Sequence, residues 1–93
     1  MTDNVCAKIR ITGRVQMVGF RFFTRQWADD LGLSGWVRNT PDGSVEVEVE
    51  GNRERIDTFV RHLRDGPRLA RVEDLKIETK PFENRYRAFD IRY

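Results

Sequence analysis

Residues 13–21, Gly-Arg-Val-Gln-Met-Val-Gly-Phe-Arg, have the types and spacing best suited to chemistry in this chain. Gly13 opens the stretch, Gly19 lies near its end, and Arg21 stands where a helix is expected to begin. A strand that turns sharply into a helix start points successive backbone N–H groups the same way, which makes a concavity for an anion. Arg21 adds a planar fork of donors suited to phosphate or carboxylate. Taken alone, these residues also describe an ordinary strand-to-helix loop with an exposed arginine. The second candidate is Asn39, whose amide both donates and accepts. Beside Pro41-Asp42-Gly43 it reads equally as a turn-forming asparagine.

Other chemistries lack their residues. His62, the only histidine, lies off the apolar stripe of its helix and is expected to be a solvated surface residue. Cys6, the only cysteine, alternates onto the charged side of its strand. No nucleophile–base pair is evident, no metal-ligand spacing occurs, and no cofactor motif is present. Glu46, Glu48 and Glu50 share one face of one strand and read as a water-facing, solubilising row rather than a cation site. Catalysis by positioning and electrostatics remains, which suits attack of water on an already activated phosphoryl group. An acyl phosphate carries a good leaving group, so a protein need only bind the dianion and hold water in line. The 13–21 donors and Arg21 suit the first task, and Asn39 suits the second.

The elements that must position these residues follow from periodicity. Val5, Ala7, Ile9 and Ile11 alternate with Cys6, Lys8, Arg10 and Thr12, the pattern of a half-buried strand. Phe20, Phe23, Trp27, Ala28 and Leu31 recur at three- and four-residue steps and predict a helix from about Phe22 to Leu31, ended by Gly32. Residues 33–40 and 45–50 form a β-hairpin closed by Pro41-Asp42-Gly43-Ser44, with Val45, Val47 and Val49 alternating against the three glutamates. Asn52 is placed to cap a second helix whose Ile56, Phe59, Val60 and Leu63 share one face, and Gly66-Pro67 stops it. Val72–Thr79 is a further strand, 80–85 a polar loop, and Phe89, Ile91 and Tyr93 mark a short last strand. The order β-α-β-β-α-β plus a terminal β defines an α+β, ferredoxin-like split sandwich. Its mostly antiparallel sheet carries both helices on one face. On the other face Lys8 and Arg10 are expected to face water and pair with the glutamates across strands.

At 93 residues the chain is a single domain, 1–93, that buries somewhat over 60% of its unfolded surface, roughly. No apolar run reaches membrane-spanning length and the first residues lack a signal-peptide core, so a cytoplasmic protein without membrane association is expected. The net charge of +2 is too small to imply nucleic acid. The RNA-recognition module shares this element order, but it stacks bases on aromatics of its first and third strands. Here those strands offer Cys6, Lys8, Arg10 and three glutamates, so RNA is not an expected partner.

Residues 13–21 closely resemble the first signature of the acylphosphatases, Gly-x-Val-Gln-Gly-Val-x-Phe-Arg. Gly35-Trp36-Val37-Arg38-Asn39, followed by Gly43-Ser44-Val45, resembles their second, and the likeness runs on through Gly51, Gly66-Pro67 and Phe89 to Tyr93. The resemblance implies a free-standing, monomeric hydrolase of the carboxyl-phosphate bond of small acyl phosphates, working without metal or cofactor and open to phosphate or sulfate as competing anions. Carried over by position, Val15, Gln16, Met17, Val18, Gly19, Phe20 and Arg21 form the phosphate cradle, with Arg21 as its catalytic clamp and Asn39 orienting the attacking water. One position departs. Met17 stands where the signature has glycine, and such a glycine serves either a positive φ or close approach to the phosphate. Strain in the first case, or crowding in the second, implies reduced activity, and the alternative reading is a weakly active or inactive module used for protein contacts or regulation.

Overall fold

The computed structural model describes residues 3–93. Strand β1 (Asn4–Arg14) leads into helix α1 (Phe20–Asp30), then β2 (Ser34–Asn39), β3 (Val45–Asn52), helix α2 (Arg53–Asp65), β4 (Arg71–Pro81) and β5 (Phe89–Arg92). The strands form one sheet in the order β4-β1-β3-β2-β5, antiparallel except for the parallel β2–β5 pair. Both helices cover the face that carries Ile9, Ile11, Val37, Val45, Val47 and Val49. Phe20, Ala28, Ile56, Phe59 and Leu63 press down on these residues, and all eleven are almost completely buried. The alternation and the helical stripes that define the fold class therefore meet in one dry layer.

Local signals act where expected, with shifted ends. Asn52 caps α2 by accepting from the Arg55 N–H at 3.1 Å. Helix α1 begins at Phe20, two residues earlier than the apolar stripe predicts. The cause is Gly19, which takes the left-handed conformation (φ 77°) and accepts the Phe23 N–H at 3.0 Å, closing the first turn ahead of the stripe. Strand β4 runs on to Pro81 because Val5 and Cys6 continue to pair with Pro81 and Lys80. Among the described residues no helix is long and apolar enough to cross a membrane.

The second face of the sheet departs most from expectation. Glu48 and Glu50 do not face water; they are 7% and 1% exposed. Residues 82–88 cross over them. Glu50 accepts backbone N–H bonds from Glu83 at 3.0 Å and Arg85 at 2.7 Å, while the Tyr86 hydroxyl donates to Glu48 and accepts the Trp36 indole N–H at 3.2 Å. A strand's period assigns residues to a face, but it cannot show that a later loop will cover that face. Lys8 and Arg10 are exposed as expected, and Glu46 meets Arg38 at 2.8 Å and Arg10 at 3.9 Å; among the described residues Lys8 makes no ion pair. His62 is also half-buried rather than solvated. Its ring stacks on Trp27 at 3.4 Å with an interplanar angle of 10°, joining α2 to α1 at the margin of the apolar stripe.

Cys6 lies under the same cover, and burial, followed by the charges of Glu48 and Glu50, raises its pKa to about 11. Two measurements check this face. A thiol reagent at pH 8 is expected to leave Cys6 almost unmodified in the native protein and to react fully in denaturant. Glu50→Ala strands two loop N–H groups and is expected to cost about 2–3 kcal/mol in chemical denaturation, against less than about 1 kcal/mol for Glu46→Ala.

Candidate active site

Strand β1 delivers the loop through a bulge. Register slips between Thr12 and Gly13, and Gly13 sits at φ 123° so close to β4 that a Cβ there would lie 2.2 Å from the Arg71 carbonyl oxygen. Beyond it, Val15 is buried, Val18 packs against the core and Phe20 is buried beneath α1, so these three side chains anchor the loop. Gln16 fastens it from the other side, its amide donating to the carbonyls of Thr40 at 2.7 Å and Ser44 at 2.8 Å. With the side chains so engaged, the loop presents its backbone. Among the described residues no protein acceptor takes the N–H of Met17, Val18, Gly19, Phe20 or Arg21. The left-handed conformations at Met17 (φ 62°) and Gly19 (φ 77°) fold this row of donors into a nest over the start of α1.

Met17 therefore answers the question its signature position raised. The glycine is replaced at a site of positive φ, and the methionine side chain is 99% exposed at the rim instead of filling the cradle. The cost is conformational, about 1–2 kcal/mol for an L-residue in this region.

Arg21 is the second residue of α1, half-buried, in a first turn without any acidic residue. A cation at the positive end of a helix dipole is disfavoured by about 0.3–1 kcal/mol unless an anion joins it. No carboxylate does so among the described residues. The guanidinium instead lies 4.7 Å above the centre of the Tyr93 ring, which steadies it while leaving its N–H edge uncommitted. Parallel pairing of β5 with β2 brings Tyr93 to this end of the sheet, beside the last residue of β2, Asn39.

Asn39 is half-buried, and its Oδ1 is a buried acceptor with no hydrogen-bond partner. Such an atom costs about 1–3 kcal/mol unless a donor reaches it. The turn beyond Asn39 is closed by side-chain contacts. Asp42 accepts from the Ser44 N–H at 3.1 Å and the Ser44 hydroxyl at 2.7 Å, and pairs on its other oxygen with Arg10. Met17, Gly19, Arg21, Phe22, Asn39, Ile91 and Tyr93 line one cavity of about 190 Å³. The structure thus gathers Arg21, Asn39 and the cradle into one site. Gln16 and Tyr93 contribute as positioners that sequence reasoning had not assigned. Gln16 was legible only as a loop member, and no spacing rule links Tyr93 to Arg21 so far apart in the chain. Among the described residues no group of three or more His, Cys, Asp or Glu is placed to hold a metal ion.

A split α+β sandwich with a row of uncommitted loop N–H groups, an arginine without a carboxylate partner among the described residues and an orphaned amide oxygen has the features of a small protein that handles anions. The sequence profile of the acylphosphatase family matches residues 7–91. The chain is 46% identical to an acylphosphatase of Rubrobacter xylanophilus over 85 residues, covering 91% of this chain and 77% of that one. It is 44% identical to an acylphosphatase of Anaeromyxobacter dehalogenans over 93 residues and the whole of both chains. The crystal structure of acylphosphatase from Bacillus subtilis superposes with a TM-score of 0.93 at 35% identity, over 96% of this chain and 99% of that one. This chain belongs to the acylphosphatase family.

Met17→Gly relieves the left-handed strain but frees the unfolded chain by about 0.5–1 kcal/mol, so a net stabilisation of at most about 1 kcal/mol is expected in thermal or chemical unfolding. Because the donors stay in place, affinity for inorganic phosphate is expected to change by less than about threefold.

Proposed function

We propose that this protein hydrolyses the carboxyl-phosphate bond of small acyl phosphates to a carboxylate and inorganic phosphate, with Arg21 and the 15–21 loop binding the phosphoryl group and Asn39 orienting the water. The observation that carries these roles is the partnerless Asn39 Oδ1 in the same cavity as Arg21 and the uncommitted loop N–H groups. The phosphoryl oxygens accept from the N–H row and from the guanidinium fork, which draws negative charge onto the helix start and satisfies the donors together. A water that donates one hydrogen to Asn39 Oδ1 has its lone pair free to point at phosphorus. The new P–O bond forms as the bond to the acyl oxygen breaks, and the water's protons pass to phosphate oxygens or solvent. The departing carboxylate is the anion of an acid with pKa of about 4, so no general acid is required. Catalysis is then positioning plus charge stabilisation by groups that do not reorganise.

Family membership supports the reaction, and the scheme assigns no step to a divalent ion. Phosphate and sulfate are the competing anions. A reducing, cytoplasmic setting fits the lone buried Cys6.

The protein is expected to hydrolyse acetyl and benzoyl phosphate in the presence of chelator, with inorganic phosphate a competitive inhibitor; a strict requirement for a divalent ion would overturn the scheme. Arg21→Ala is expected to abolish turnover and phosphate binding together. Asn39→Ala is expected to lower kcat by about 100-fold or more while phosphate binding survives. Parallel loss of both in the Asn39 variant would show that the two roles are not separate.

A further inference from the structure

The cavity around Arg21 and Asn39 is small, about 190 Å³, against roughly 300–1,000 Å³ for sites that enclose an organic ligand. On the function proposed above, on which this inference rests, the phosphoryl group and the attacking water occupy it, and the acyl group has to lie at its mouth. Attack in line puts the acyl oxygen on the side of phosphorus opposite the water, hence away from Asn39. A second cavity, of about 430 Å³, opens on the Asn39 side and is lined by Arg10, Arg38, Asp42 and Glu46, so it lies on the side of the water. Its arginines are already paired, Arg10 with Asp42 and Arg38 with Glu46, which leaves little to attract an anionic acyl group there.

The mouth of the smaller cavity is apolar. Among the described residues six large apolar or aromatic side chains are exposed, and three of them, Met17, Phe22 and Tyr93, line this one cavity together with the half-buried Ile91. The core accounts for neither Met17 nor Phe22. Phe22 lies off the stripe by which α1 meets the sheet and is 55% exposed, its ring lying 6.0 Å from the Arg25 guanidinium. The Met17 side chain stands in solvent on a left-handed backbone that glycine would adopt without strain. Arg21 is the only charged residue of the lining. Apolar surface gathered beside a few convergent polar groups is the ordinary make-up of a ligand site.

We infer that Met17 and Phe22 are specificity-determining residues that receive the acyl group of the substrate, selecting acyl phosphates with apolar chains over acetyl phosphate and over acyl groups that end in a charge. The unbranched thioether of Met17 adapts to chains of different shape, and Phe22 adds an aromatic surface from the first turn of α1. The departure from glycine at position 17 thus adds contact surface at the mouth and leaves the row of donors in place. Contact at an open mouth is partial. A methylene fully withdrawn from water is worth about fourfold in binding, so one covered over about half its surface is worth about twofold.

Steady-state kcat/KM of the intact chain for acetyl, butanoyl and hexanoyl phosphate, whose leaving carboxylates have nearly the same basicity, tests the assignment. A rise of about tenfold or more is expected from acetyl to hexanoyl phosphate, and a rise of less than about fivefold would overturn the inference. Met17→Gln keeps the length and the left-handed backbone of the residue but makes its end polar, and Phe22→Ser removes the ring. Each is expected to at least halve the hexanoyl-to-acetyl ratio, and the double variant to bring it below about threefold. Taking the ratio within each protein cancels any change in the cradle that both substrates feel. Adipoyl monophosphate, which carries a carboxylate where hexanoyl phosphate has a methyl group, is expected to react at least about fivefold less well than hexanoyl phosphate, because its charge would lose water against apolar side chains. Either single variant keeping the wild-type ratio, or adipoyl monophosphate matching hexanoyl phosphate, would overturn the acyl assignment while hydrolysis itself stands. A wild-type chain that fails to turn over acetyl phosphate would instead overturn the proposed function, and this inference with it.

Discussion

The amide of Gln16 holds two halves of the site in one geometry. Both of its N–H donors are used, on the carbonyls of Thr40 and Ser44, which flank the turn immediately after Asn39. The loop that presents the backbone donors is thereby tied to the strand end that presents the orphaned oxygen. These elements are more than twenty residues apart in sequence, and each alone is a commonplace turn. Without this tie the cradle would be fixed only by the packing of Val15, Val18 and Phe20 on one side of it.

Around that tie, stability is given up where an anion would restore it. Among the described residues, five N–H groups without acceptors, a methionine in the left-handed region, an arginine at the positive end of a helix and a buried acceptor without a donor lie in or beside one cavity. Each is unfavourable in the free protein. On the proposed function their polar groups are already oriented, so that an arriving phosphoryl group would need little reorganisation. The apolar layer beneath, with Ile9, Val37, Val47 and Phe59 almost completely inaccessible, provides the rigidity that keeps these groups from relaxing toward one another.

The opposite face follows a different logic. Glu48 and Glu50 are carboxylates under a loop, made tolerable by the hydroxyl of Tyr86 and the backbone of Glu83 and Arg85. They hold the connection that returns the chain from β4, at one edge of the sheet, to β5 at the other. That return puts Tyr93 over Arg21, so the covered glutamates also support the site from a distance.

Fold class was legible from the sequence because side-chain period depends only on local backbone geometry. The alternating valines and isoleucines, the two apolar stripes, Asn52 as a cap and the Pro41–Ser44 turn each specify their element without reference to the rest of the chain. The two signature stretches likewise singled out Arg21, Asn39 and the loop between Val15 and Arg21 as candidates, since a row of backbone donors is encoded by a contiguous run. Long-range apposition decided the rest. Whether Glu48 and Glu50 meet water depends on a loop more than thirty residues later, and whether His62 is free depends on where α1 lies. The meaning of Met17 depends on a backbone angle that its neighbours impose. The sequence alone determined the elements and the candidate chemistry of one loop and one asparagine. Only the tertiary structure decided which polar groups found partners and which, like Asn39 Oδ1, did not, because that outcome depends on what the folded chain brings against each of them.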